Sequence, residues 1–211
     1  MAEETEGSGS RKARSKRGVS KIPVGRNAHW HITEFDEFGD PLSPPIALTK
    51  YKTILGLLVR DFIPIKYRKW IGKDDDRWRV PESKKDYIWD VKILEYFTFP
   101  TEYDKEVVKK KAKEILGTCF KNFKGTLYKH FVLQNKEPDF DGGQFNKQKD
   151  FWQDFKEYRL SEEYLELSRK NKENSQKAMD PHHFSSCGYA KKMPEFKAEL
   201  EKMDLLTKEG V

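Results

Sequence analysis

Arg169, Lys170, Asn171, Lys172, Asn174, Gln176 and Lys177 fall within nine consecutive residues, RKNKENSQK, with Glu173 as the only acid among them. The cations are of the type that neutralises phosphates. The amides are of the type that hydrogen-bonds adenine edges in a major groove. Upstream, Ser161 suits a helix N-cap, and Glu162 and Glu163 suit the positive end of the helix dipole. Tyr164, Leu165 and Leu167 then read as anchors for the first turns, so that an anchored helix holds out a polar, cationic tail. A solvated helix end of ordinary polar residues fits the same letters. A second cationic group precedes the first apolar stretch: Arg11, Lys12, Arg14, Lys16 and Arg17 lie in a run, 11–26, of seven basic residues and no acid. It reads as a nuclear-import signal or phosphate-binding arm, against a plain solvated tail.

Other groups with chemical potential are weaker. His182, His183 and Cys187, with His29 and His31 far upstream, lack paired ligand spacing, so no metal and no cofactor is expected. Asp74, Asp75 and Asp76 fall in one loop pattern, Asp139 and Asp141 in another, without the alternating strands that a two-metal carboxylate site requires. No phosphate-cradling glycine loop, nucleophile elbow or zinc-binding helix motif occurs. Cys119 lies on an apolar helix face and reads as packing. No catalytic residue is assigned, and the chain is expected not to be an enzyme.

Composition agrees with a modest core and an anionic partner. Hydrophobic and charged residues each make up 36% of the 211, and 14 Phe, 9 Tyr and 5 Trp supply much of the buriable area. The net charge of +6 biases the surrounding field toward polyanions. Two cysteines suggest a reducing compartment. Neither a membrane-spanning apolar run nor a secretory leader is found, so no membrane association is expected.

The elements that would position these groups are helical. Residues 1–27 read as a disordered basic arm, 28–193 as a helical domain and 194–211 as a tail with a short polar helix at 194–206. Residues 29–35 and the turn-like FGDPL read as a small hairpin. Leu48, Tyr51, Leu55, Leu58, Val59 and Phe62 give a helix over 47–62, stopped before Pro64. A connector with a GKDDD turn follows. A helix over 82–97 then has Ser83 and Asp86 as a capping box, and is apolar nearly all round and therefore central. The longest pattern, 104–133, has a face of Val108, Ala112, Ile115, Leu116, Cys119, Phe120, Phe123, Leu127 and Phe131, with Gly117 and Gly125 as candidate kinks. Lys105, Lys109, Lys110, Lys111, Lys113, Lys121, Lys124 and Lys129 form the opposite face, which reads as solvating rather than as a phosphate track. Helices over 144–158 and 161–178 complete an all-α, aromatic-cored bundle. The tryptophans do not follow the even spacing of a Myb/SANT unit, which leaves a looser trihelix-like bundle open.

The order of motifs resembles the plant transposase family labelled Ptta/En/Spm, of CACTA-type elements. The matching blocks are FGDPLSP (38–44), LGLLVRDFIPIKYRKW (55–70), WRVPESKKDYIWDVKILEYF (78–97), the Lys-rich helix, SEEYLELSRKNKENSQ (161–176) and HHFSSCGYA (182–190). Asn171, Lys172, Asn174, Tyr189 and Ala190 match the family's final block, whereas its Gly–Ser step is replaced by Ser186–Cys187–Gly188. The resemblance spans about residues 30–195. It implies a transposon-derived nuclear protein that binds duplex DNA, with strand cleavage left to a separate catalytic transposase and self-association as a further option. The rivals are an oligomerising adaptor that presents the apolar stripe of 104–133 to a partner, and a catalytic transposase fragment.

Overall fold

The computed structural model describes residues 29–141 and 145–177. It is mostly helical, as expected, with four very short strands. Strand β1 (Trp30–His31) pairs in parallel with β4 (Phe97–Thr98), Trp30 opposite Phe97. Strands β2 (Glu34–Phe35) and β3 (Pro41–Ser43) make the expected hairpin. Its turn is built by Asp36, whose Oδ1 accepts from Phe38 N (2.9 Å) and Asp40 N (2.7 Å), and by Gly39 at φ +82°. A Cβ on Gly39 would also stand 2.8 Å from Val107 O, so glycine lets the turn approach the long helix.

Helix α1 (Pro45–Phe62) starts on a proline, which needs no partner for its missing N–H, and buries Ala47, Tyr51, Ile54, Leu55, Leu57, Leu58 and Val59. Helix α3 (Lys105–Leu127) is capped by Asp104, whose carboxylate accepts from Glu106 N (3.0 Å) and Val107 N (3.1 Å). It packs along α1 through Val108, Ala112, Leu116 and Phe120. This face is spent inside the fold, so the α3 stripe is not available to a second molecule as the adaptor reading required. The core between the helices is aromatic: Tyr51 meets Phe97 edge-on at 5.1 Å, and Trp89 stacks on Phe99 at 5.5 Å. A second cluster gathers Ile65, Leu127, Val132, Trp152 and Phe155. Trp152 begins α4 (Trp152–Leu160), after a 3₁₀ turn over Asn146–Phe151.

Three expectations are corrected. The 82–97 segment is not one buried helix. Helix α2 (Glu82–Tyr87) passes into a π-helical turn over Ile88–Ile93, and Phe97 has already left for β4. The wider turn directs Ile88, Trp89 and Ile93 inward and leaves Tyr87, Val91 and Leu94 between 42% and 48% exposed. The proposed capping box does not form. No side chain caps α2, because Asp86 reaches across to Lys109 (2.7 Å) and Lys113 (2.8 Å) of α3. Nor do Gly117 and Gly125 break α3, which is continuous to Leu127 and ends in a π-helical turn over Tyr128–Val132.

Those two glycines have different reasons to exist. A Cβ on Gly117 would lie 2.7–2.9 Å from the Trp70 indole, a ring that also packs on Phe120 at 5.9 Å. Around Gly125 there is nothing within 4 Å. Gly125→Ala is therefore expected to stabilise the fold by about 0.5–1 kcal/mol through helix propensity. Gly117→Ala is expected to destabilise it by about 1–3 kcal/mol despite the same gain, because the indole must move. Denaturant unfolding of both variants checks this; shifts of the same sign would contradict the packing argument.

Candidate nucleic-acid interface

Helix α5 (Glu162–Gln176) carries the cationic and amide cluster picked out from the sequence. At its start Ser161 Oγ donates to Tyr158 O (2.7 Å). Of the three residues expected as apolar anchors, Leu165 and Leu167 are each 48% exposed, while Tyr164 is half-buried. Two leucines two positions apart lie about 200° apart around the axis, so they cannot form one stripe.

Every residue from Arg169 to Lys177 is exposed. Helical spacing sorts them into faces. Arg169, Lys172 and Gln176 share one side. Lys170, Asn174 and Lys177 share the next. Asn171 falls on neither. Arg169 Nη1 meets Glu173 Oε1 at 3.1 Å, a solvent-exposed i,i+4 pair of little energetic weight. From Glu162 to Lys177 there are four acids (Glu162, Glu163, Glu166, Glu173) and four bases (Arg169, Lys170, Lys172, Lys177), so the segment is neutral. Its charge is separated along the axis: 169–177 holds four bases and one acid, a net of +3. Glu162 and Glu163 at the positive end of the dipole also stabilise the helix itself, whereas its last turn holds no base.

Arg11, Lys12, Arg14, Lys16 and Arg17 lie outside the described residues, as do His182, His183, Cys187 and the 194–206 segment. His31 Nδ1 is 2.8 Å from Thr98 Oγ1 and His29 Nδ1 is 3.3 Å from Glu95 O, each tied to the strand-β4 segment. Among the described residues no group of three or more His, Cys, Asp or Glu is placed to hold a metal ion. No helix among them is long and apolar enough to cross a membrane.

The lysines of α3 divide into three sets. Lys109, Lys111 and Lys113 are bound to carboxylates. Lys109 meets Asp86 and Asp90 (3.2 Å), Lys111 meets Asp40 (2.9 Å), and Lys113 meets Glu82 (2.7 Å) and Asp86. Hydrogen bonds from Lys109 and Lys113 lower the Asp86 carboxyl below its usual range. Lys105, Lys110, Lys121 and Lys129 face solvent. Lys124 departs from the expected outer face: it is buried, and its Nζ donates to Tyr67 O (2.8 Å) and Arg68 O (3.0 Å). Burial, followed by the nearby Arg159 guanidinium, pushes its amine down to about 7.

A further cationic group escaped the sequence reading. In the connector, the Arg68 guanidinium lies 4.0 Å from the Trp78 ring centre and 3.9 Å from that of Tyr158, while Arg77 lies 4.8 Å from Trp78. The alternation of bases with aromatics in KYRKW and RWR was the available signal. Compared with known proteins, the chain matches no family model, no curated protein and no solved structure.

The lowered Lys124 amine fixes one pH dependence. Between about pH 7 and its ordinary value of 10.5, the unfolded chain holds this proton and the folded chain has lost it. The unfolded state binds more protons, so stability rises with pH through this window. Cys119, whose thiol is also pushed up by burial, begins to oppose the trend near its ordinary 9.0. Chemical unfolding at pH 7 and pH 9 should show higher stability at pH 9, and Lys124→Met should flatten the difference. A wild-type protein equally stable at both would rule out a neutral Lys124.

Proposed function

We propose that this chain is a non-enzymatic nuclear DNA-binding protein of transposon origin, which places α5 against duplex DNA and uses the 11–26 arm as an electrostatic tether. The observation that carries the reading is a 15-residue helix without a single buried residue whose second half is wholly exposed, cationic and rich in amides. A helix of that length is marginal alone in water, so a ligand that engages it contributes directly to its stability. Phosphates fit its cations, and a major-groove base edge fits Asn174, which shares a side with Lys170 and Lys177. The motif order resembling the Ptta/En/Spm transposases supports the same partner and suggests a separate catalytic polypeptide for strand cleavage.

The test is duplex binding followed by fluorescence anisotropy at 50 and 200 mM salt. Wild type should lose affinity steeply with salt. Changing Arg169, Lys170 and Lys172 to Ala should lower the slope of log affinity against log salt by about 2–3, since each phosphate contact contributes about 0.9. Equal affinities for both proteins would remove α5 from the interface. Salt dependence that disappears only on deletion of residues 1–27 would give the activity to the arm. Tight oligomers in light scattering, with no affinity for DNA, would favour an adaptor that associates through a surface other than the α3 stripe.

A further inference from the structure

The connector between α1 and α2 is the most cationic loop of the body. From Lys66 to Arg79 it holds six bases (Lys66, Arg68, Lys69, Lys73, Arg77, Arg79) against Asp74, Asp75 and Asp76. Two of the acids are committed to the loop's own architecture. Asp74 is bound by Arg79. Asp76 is bound by Lys69 at 2.9 Å and accepts from Trp78 N at 2.9 Å. Lys73 and Arg77 flank the turn closed by Asp76 N donating to Lys73 O (3.2 Å), and both are exposed. Neither has a carboxylate partner among the described residues. What holds Arg77 is the Trp78 ring, and what holds Trp78 is its backbone: its carbonyl accepts from Arg68 N (2.8 Å) and Lys69 N (3.1 Å). Arg68 braces the same ring, with Tyr158 of α4 beyond it.

A guanidinium lying on an aromatic ring keeps its full charge, because the ring neutralises none of it. It also keeps N–H donors at its edge, in the rigid planar fork of the guanidinium. Such an arginine loses little rotamer freedom on gripping a phosphate. The indole is already occupied by guanidiniums, so it offers less to a stacking base than a bare ring would. The contact is therefore with the sugar–phosphate backbone and carries no sequence preference of its own.

We infer that the 66–79 connector is a second DNA-contacting surface, where Lys73 and the ring-held Arg77 grip backbone phosphates of a duplex. This rests on the proposed DNA-binding function but not on α5 being the reading element. It assigns the folded body a positioning contact that neither the arm nor α5 supplies.

The test uses the full chain, with Lys73→Ala/Arg77→Ala compared with wild type and with the α5 triple variant, on several 20-base-pair duplexes of unrelated sequence. The double variant should lose roughly 5- to 20-fold in affinity at 50 mM salt, equally on every duplex, and its salt slope should fall by about 1–2. Both side chains are exposed, so an unchanged thermal midpoint should accompany the loss. Wild-type affinity and slope in the double variant, with binding weakened in the α5 variant, would overturn the connector assignment and leave the proposed function standing. No duplex binding by wild type would overturn both. Weakening by the connector variant alone supports the connector and removes α5. Binding to phosphatidylserine vesicles that depends on Lys73 and Arg77, without a matching effect on DNA, would assign the surface to membranes and overturn the inference.

Discussion

The fold depends on satisfying one stretch of interior backbone. Where α1 ends, the chain does not emerge into water. It runs on through buried Ile63 and Ile65 before turning at the connector. A helix end leaves carbonyls without intrahelical partners, and a buried one must find them elsewhere. Two side chains from distant parts of the chain supply them. Gln148 accepts from Ile65 N (2.9 Å) and donates to Ile63 O (3.1 Å) and Arg60 O. Lys124 donates to carbonyls further along, those of Tyr67 and Arg68. The end of α1 is thereby stitched to α3 and to the 3₁₀ turn before α4. The cost is a lysine buried near Arg159, which is why its amine titrates so far below its ordinary range.

Helix α3 then has three duties on three sides. One side closes the aromatic core against α1. A second ties α2 down through Lys109 and Lys113, which meet Glu82, Asp86 and Asp90. These side chains are partly exposed, so the pairs orient α2 more than they stabilise it. The third is the buried lysine. Little of the apolar side of α3 is left for a partner. Beside its solvent-facing Lys105, Lys110 and Lys121, exposed cations stand on the connector loop and on α5.

Much of this architecture was legible in the letters. The hairpin at FGDPL, the stop before Pro64, the GKDDD turn and the long 104–133 pattern each rest on local chemistry: glycine at positive φ, a proline just past a helix end, acids in turns, apolar residues at helical spacing. The α5 segment was likewise visible as a helix. The errors share another origin. The 82–97 segment reads as one helix because residue spacing does not reveal a π turn that resets which side faces inward. Leu165 and Leu167 read as anchors by hydrophobicity alone, although two positions of helix put them on different faces. Lys124 reads as solvent-facing because its residue type matches the other seven lysines of the 104–133 pattern. It lies four residues from Phe120 and three from Leu127, on the inner side. The Arg68–Trp78–Tyr158 stack joins residues up to 90 positions apart, beyond the reach of local patterns.

By itself, the sequence determined most of the helices and their approximate limits, the aromatic character of the core and the concentration of charge and amides in 169–177. These follow from interactions within a few residues: backbone preference, capping, periodicity and charge order along one helix. Only the tertiary structure decided which cations are bound by carboxylates, which one is buried on carbonyls and which are held on aromatic rings. Those outcomes depend on pairs such as Asp86 with Lys113, or Gln148 with Ile63, brought together when α1 and α3 pack. A side chain's charge is written in its letter, but whether that charge stays available to a ligand is set by the neighbours that folding places beside it.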